Sequence, residues 1–335
     1  MNMAYYLVMT KKVNEIQLDL KDRKIISELD FNARKSYSEI AKKVGLSKQV
    51  VEYRITNLMK QGVIQGFYAV VQMPKLGYLY CRLSLTLQNI SPAEFNEIMD
   101  ELKKDNRIFW LFEMQGSFDL FIASWMKNLT EFRRFVEEFM VKYGPFVKKR
   151  TENIATDVIH YQYRFLLNKE ATGEIHLAET EQRISIDDLD KKILSFLCEN
   201  ARMSLVEMGE KLKEHPKTIA YRIARMEKIK LIEAYRVNLD HNRIGYTYYK
   251  IFVNISNFTF EDITRLKEFI KRYTNTIYII EGINLHGDID FEVMIKSNAD
   301  LFEFIKLLRK EFPKIVGDYS SVIYMNIAKV KYLPF

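Results

Sequence analysis

LDLKDRKIISELDFNARKSYSEI, residues 18–40, has a partner later in the same chain: IDDLDKKILSFLCENARMSLVEM, residues 186–208. The offset of 168 holds without a gap from Leu18 to Tyr78, and 19 of those 61 positions are identical. Among them are Asn32-Ala33-Arg34 with Asn200-Ala201-Arg202, and Tyr53-Arg54-Ile55 with Tyr221-Arg222-Ile223. Further on, Gly116-Ser117-Phe118-Asp119 aligns with Gly287-Asp288-Ile289-Asp290 at an offset of 171, so two insertions totalling three residues are expected. Such identity over a gapless stretch marks the duplication of a module of ~150 residues.

Each copy divides in two. In its first part the apolar residues fall at helical spacing: Ile25, Ile26 and Leu29, then Ile40, Ala41 and Val44, then Val51, Ile55 and Leu58. Ser36 followed by Glu39 is a capping-box signature for the second helix, and Gly45 suits the left-handed residue that ends it. Ser47 is an N-cap for the third. Three helices with a short turn before the last describe a helix-turn-helix. Gly62-Val63-Ile64 and the alternating FYAVV (67–71) then predict a strand and a small wing.

The second part changes period. Cys81–Leu87 alternates as a strand, and Phe95, Ile98, Met99 and Leu102 share a helical face. IFWLFEM (108–114) and DLFIASW (119–125) read as strands joined through Gly116. Phe132, Phe135, Val136 and Phe139 mark a second helix, and a last strand lies within Lys149–Ile159. The order is βαββαβ, a ferredoxin-like plait. Copy two repeats it with Tyr249–Ile255, Ile263–Tyr273, Ile277–Ile283, Phe291–Ile295, Leu301–Leu308 and Ser320–Ile327. The fold class is α+β, a tandem repeat of winged helix-turn-helix plus ferredoxin-like domain. The expected divisions are 1–76 and 186–245 for the helix-turn-helix domains and 77–167 and 246–335 for the βαββαβ domains. Residues 168–185, polar and acidic, read as a linker.

The 335 residues carry 51 Lys plus Arg and 44 Asp plus Glu, a net charge of +7. Residues 1–76 hold 13 basic and 7 acidic side chains (+6), whereas 77–167 hold 12 and 12. The linker is −2, residues 186–245 are +2 and residues 246–335 are +1. A positive field confined to one end suits a polyanion partner. The two cysteines, Cys81 and Cys198, offer neither a disulfide framework nor a zinc site. No apolar run approaches the ~18 residues of a membrane span. The opening MNMAYYLVMTKK makes a poor signal peptide, because its apolar stretch is short and its lysines follow it. The expected compartment is the cytoplasm.

Leu18-Asp19, Asp22-Arg23-Lys24-Ile25-Ile26, Val44-Gly45-Leu46-Ser47, Tyr53-Arg54-Ile55, Leu58, Gly62-Val63-Ile64 and Gly116-x-x-Asp119, in this order and at this spacing, resemble the Lrp/AsnC (feast/famine) transcriptional regulators. The resemblance covers nearly the whole chain, twice. It implies a regulator with two half-dimers fused, self-association through the βαββαβ sheets, and an effector, commonly an amino acid, near the Gly-x-x-Asp loop. Gly116, Ser117, Asp119, Gly287, Asp288 and Asp290 are the effector candidates, with Glu113 beside them. A conformational account competes: glycine supplies a positive φ and aspartate satisfies backbone amides.

With Val51, Ile55 and Leu58 facing the core, Lys48, Gln49, Glu52, Tyr53 and Thr56 project outward on the helix expected to enter the major groove of double-stranded DNA. Ser47 and the first amides suit a phosphate. Gln49 is the base reader, with Lys48, Tyr53 and Arg54 positioning, unless Arg54 pairs with an acidic neighbour inside the domain. The second copy has Lys213-Glu214-His215-Pro216 where the first has Gly45-Leu46-Ser47-Lys48. Lys217, Thr218, Tyr221, Arg222 and Arg225 are its candidates, and weaker or differently specific binding is expected. Two unlike helices about one turn, ~34 Å, apart would read an asymmetric site.

No CxxC, HExxH, GxSxG, Walker loop or GxGxxG occurs, so no enzyme, cofactor or metal is expected. Sirohaem decarboxylases share this two-part architecture and resemble the regulators, but carry a His- and Tyr-Asn-rich segment where this chain has Glu113-Met114-Gln115-Gly116. His286 before Gly287 is the one feature pointing their way. A protein that wraps DNA with little sequence preference is a further alternative.

Overall fold

The computed structural model describes residues 15–169, 173–178 and 180–335, and the apolar opening stretch weighed as a leader lies outside them. Copy one begins with three helices, α1 (Leu20–Leu29), α2 (Tyr37–Val44) and α3 (Lys48–Lys60), followed by strand β1 (Ile64–Val71). The predicted caps are in place. Ser36 and Glu39 form a reciprocal capping box, Gly45 closes α2 at φ 64°, and the Ser47 hydroxyl accepts from the Val50 amide. Val51, Ile55 and Leu58 are buried, each contributing ~1.5–3 kcal/mol by leaving water.

The plait follows as β2 (Leu79–Leu87), α4 (Pro92–Lys104), β3 (Ile108–Gln115), β4 (Leu120–Met126), α5 (Leu129–Tyr143) and β5 (Val147–Tyr161). A short strand, β6 (Glu174–His176), sits in the segment read as a linker. Copy two contains α6 (Asp188–Glu199), α7 (Leu205–Leu212), α8 (Pro216–Lys228) and β7 (Ile232–Leu239). It ends with β8 (Thr247–Ile255), α9 (Phe260–Arg272), β9 (Thr276–Ile283), β10 (Ile289–Ile295), α10 (Asn298–Glu311) and β11 (Val316–Val330).

The copies fold into each other. β5 and β11 are long enough to serve two sheets. One stretch of β5 pairs with β2 of its own copy, and Ile154–His160 pairs with β9 of the other. β11 does the same with β8 and β3. The eight plait strands therefore close into a ring, β2-β4-β3-β11-β8-β10-β9-β5, with β5 returning to β2. Helices α4 and α5 cover one copy's outer face over Cys81, Leu83, Leu85 and Ile122; α9 and α10 cover the other over Ile251, Val253 and Phe291. The alternate residues, Arg82, Lys250, Phe252 and Tyr324 among them, point into the ring and are buried there.

Three expectations take a more definite form. The wing strand β1 pairs antiparallel with β7, so the two helix-turn-helix domains share one ribbon. Within the segment read as a linker, residues 174–176 are docked. β6 pairs with β5, and the Gln72 side-chain amide donates to the His176 carbonyl. Finally, the hairpin alignment moves by two residues. Asp119 accepts from the Leu87 amide and Asp288 from the Ile255 amide, both at 2.7 Å. Leu87 and Ile255 are partners at the 168 offset, so Asp288, not Asp290, is the counterpart of Asp119. A single inserted residue, taking the offset to 169, suffices from there to the end of β11.

Candidate nucleic-acid interface

The exposed face of α3 carries Lys48, Gln49, Glu52, Tyr53 and Thr56, with Tyr53 70% exposed. Among the described residues no protein group covers this face. Arg54 is different. Its guanidinium donates to Asp19 and Asp22 of the first helix region at 2.7 Å each, and only a quarter of it is exposed. Asp19 is itself the N-cap of α1 and accepts from the Asp22 amide. Burial pulls the Asp19 carboxyl up, but the Asp22 amide and Arg54 outweigh it and hold it below the ordinary carboxylate range. Arg54 thus bolts α3 to α1 and pairs with acidic neighbours inside the domain.

Copy two repeats the bolt position for position. Arg222 donates to Asp187, the N-cap of α6, and to Asp190; Arg225 also donates to the buried Asp190. Two of its five candidates are therefore engaged inside the domain. Lys217 and Tyr221 stand exposed and Thr218 is half-buried. The lost turn glycine is replaced by Lys213 in the same left-handed conformation, φ 56°. The lost serine cap is replaced by His215, whose Nδ1 accepts from the Lys217 amide. The second turn keeps its shape with other residues.

What fixes the spacing of α3 and α8 is a pair of reciprocal clasps beside the ribbon. Arg34 donates to the Ala201 carbonyl at 2.5 Å, and Arg202 donates to the carbonyls of Ala33 and Lys35. The amide of Ala33 donates to Tyr235 and that of Ala201 to Phe67. In the sequence Asn-Ala-Arg stands out only as a marker of the repeat. The signal lies in the sequence: an arginine kept in both copies inside an identical Asn-Ala-Arg run, on no predicted helix face.

The effector candidates are largely committed to structure. Gly116 adopts φ 136°, and a Cβ there would stand 2.7 Å from the Ser321 carbonyl of β11. At Gly287 a Cβ would meet the Val253 backbone at 2.8 Å. The Ser117 carbonyl accepts from Thr86, and Glu113 accepts from Asn326. Asp119 and Asp288 hold backbone amides. Asp290 turns inward from the loop: buried inside the ring, it lies within 3.3 Å of Arg82 while its Oδ1 accepts from the Gly287 amide at 3.4 Å. The structure takes Asp290 off the list of loop residues that a ligand reaches.

A family model described as winged helix-turn-helix DNA-binding matches residues 18–65, and one for the AsnC-type helix-turn-helix domain matches residues 186–227. The HTH-type transcriptional regulator PH0140 of Pyrococcus horikoshii is 31% identical over 149 residues, 44% of this chain and 92% of that protein. The HTH-type transcriptional regulator Ptr1 of Methanocaldococcus jannaschii is 31% identical over 121 residues, 36% of this chain and 80% of its own length. These relatives are one module long. Over the whole chain, the crystal structure of the sirohaem decarboxylase NirDL superimposes with a TM-score of 0.61 at 10% identity, covering 94% of each. At that identity the likeness is one of fold.

Proposed function

Because the chain belongs to the Lrp/AsnC family of helix-turn-helix transcriptional regulators, with two modules in one polypeptide, we propose that it reads an asymmetric operator through α3 and α8. Binding DNA to regulate transcription is the family's work; the asymmetry is this chain's. The observation that carries it is the contrast between a shared frame and unlike readers. Ribbon, clasps and bolts repeat in both copies, while Lys48 and Gln49 of α3 face Pro216 and Lys217 of α8. Gln49 is the base reader of the first half-site, Lys48 and Ser47 hold phosphate, and Lys217, Thr218 and Tyr221 serve the second. Selection of bound fragments from random DNA, followed by footprinting, tests this. Two dissimilar half-sites about one helical turn apart are expected; a perfect inverted repeat would refute it.

The family supports an amino-acid effector at the two hairpin ends, with Gly116, Ser117, Asp119, Gly287 and Asp288 as its surroundings. A thermal shift on adding single amino acids is its test. We read the protein as cytoplasmic and non-enzymatic. Among the described residues no helix is long and apolar enough to cross a membrane. Of the five histidines, three cap, pair or pack within the fold and two are buried. Burial pushes His241 down to about 4 and keeps His160 well below its ordinary range. His215 caps α8, His176 lies between Asp157 and Glu174, and His286 packs on Phe118 and Phe252. The shared fold with NirDL favours one second reading, a sirohaem decarboxylase. Mixing the protein with sirohaem and recording its absorption decides between them, since a regulator leaves the spectrum unchanged.

A further inference from the structure

We propose that charges buried between the two copies encode their pairing, so that module one accepts module two and neither accepts its own kind. Two separate ionic sites carry this. At the first, Asp30 and Arg236 form a forked pair at 2.9 and 3.0 Å, both essentially inaccessible to water. Asp30 belongs to copy one and Arg236 to copy two. Their counterparts at the 168 offset are Cys198 and Tyr68, which carry no charge. A pairing of two first modules would bury two Asp30 carboxylates opposite Tyr68. A pairing of two second modules would bury two Arg236 guanidinium groups opposite Cys198. Only the mixed pairing gives each charge its partner.

The second site lies inside the strand ring and obeys the same rule. Arg82 of copy one and Lys250 of copy two occupy equivalent positions. Both acidic partners come from copy two. Asp290 stands 3.3 Å from Arg82, and Glu292 stands 3.1 Å from Lys250 and accepts from Tyr324 at 2.7 Å. Strand register equates Glu292 with Ala123, because Lys250 lies opposite Glu292 as Arg82 lies opposite Ala123. Two residues earlier, Asp290 is equated with Phe121. The contacts agree, since Lys250 lies over the Phe121 ring where Arg82 meets Asp290. Mixed pairing buries two cations with two anions. Two first modules would bury two arginines with no carboxylate, and two second modules would bury two lysines with four carboxylates. An uncompensated buried charge is among the costliest errors a protein core can hold.

The symmetric contacts, ribbon and clasps, do not make this choice, because they would form equally well in either like pairing. The proposal stands whether or not the operator is asymmetric.

The test starts from the folded full chain carrying a protease site inserted between residues 168 and 185. After cleavage, the two halves are unfolded together in denaturant, refolded by dilution, and weighed by native mass spectrometry. Blind pairing would give mixed and like species in comparable amounts. The code predicts at least a hundredfold excess of the mixed species, from one or more uncompensated buried charges per like pair. Abundant like pairs would overturn it. A second measurement keeps the chain intact. D30R and R236D, refolded separately, each hold like charges face to face. Refolded together, they restore both pairs by exchanging modules, so a two-chain species should appear in the mixture. If the mixture weighs the same as its components, the charges do not direct pairing.

Discussion

At the scale of single residues, the recognition helix separates side chains that hold it from those it offers. Lys48 and Arg54 are both cations on α3, yet they differ in role. Lys48 is exposed, whereas Arg54 is spent on Asp19 and Asp22. Lys48→Ala is expected to weaken DNA binding at every sequence, lower the salt slope by ~1 and leave thermal stability unchanged. Arg54→Ala should cost ~1 kcal/mol of stability, since the bridge is partly solvated, and should weaken DNA binding only through helix placement. Salt-dependent binding isotherms paired with thermal melts check both. An Arg54→Ala variant of full stability but lost affinity would return Arg54 to the DNA.

At the scale of elements, the two helix-turn-helix turns solve one geometric problem differently. Gly45 and Lys213 both sit in the left-handed region, where a side chain costs ~1 kcal/mol. Lys213→Gly is therefore expected to raise stability by about that amount and Gly45→Ala to lower it, as chemical denaturation reads. The docked strand β6 makes a pH prediction. Burial alone would depress His176, but Asp157 at 2.6 Å and then Glu174, itself paired with Lys271, outweigh it and raise its pKa. A raised histidine contributes stability that is complete below its unfolded pKa of ~6.5 and is lost as pH climbs through the higher folded value. Hydrogen exchange in residues 174–177 should thus accelerate, beyond the intrinsic rate, as pH rises past ~6.5. No such excess would mean that pairing with β5 and the Gln72 contact alone hold the strand.

At the scale of the molecule, one chain closes two copies of a module on each other. The ring of eight strands closes only because β5 and β11 each cross into the other copy's sheet. Neither module has a complete sheet edge alone. Breaking a buried cross-copy ion pair should therefore be felt globally. Arg236→Met leaves Asp30 buried without its cation and is expected to cost ~3–5 kcal/mol in equilibrium unfolding. Melting of the helix-turn-helix pair and of the ring should shift together, because Arg236 also donates to the Tyr161 carbonyl of β5. A loss below 1 kcal/mol would show that the pair is replaceable by packing.

Local information in the chain settled a great deal. The duplication, the three-helix order, the caps at Ser36, Gly45 and Ser47, and the βαββαβ sequence follow from short-range periodicity and backbone preference, which act within a few residues of each other. What lay beyond reach was everything decided between segments far apart. Whether β1 turns back as a wing or joins β7, whether Arg54 meets phosphate or Asp22, and whether Asp290 lines a loop or neutralises Arg82 depend on which surfaces meet. Periodicity starts the strand at Phe291 and leaves Asp290 in the hairpin loop, and the charge awaiting it is 208 residues away in sequence. That encounter exists only once the ring has closed, and the cost of leaving either charge unpaired is a property of the closed ring alone.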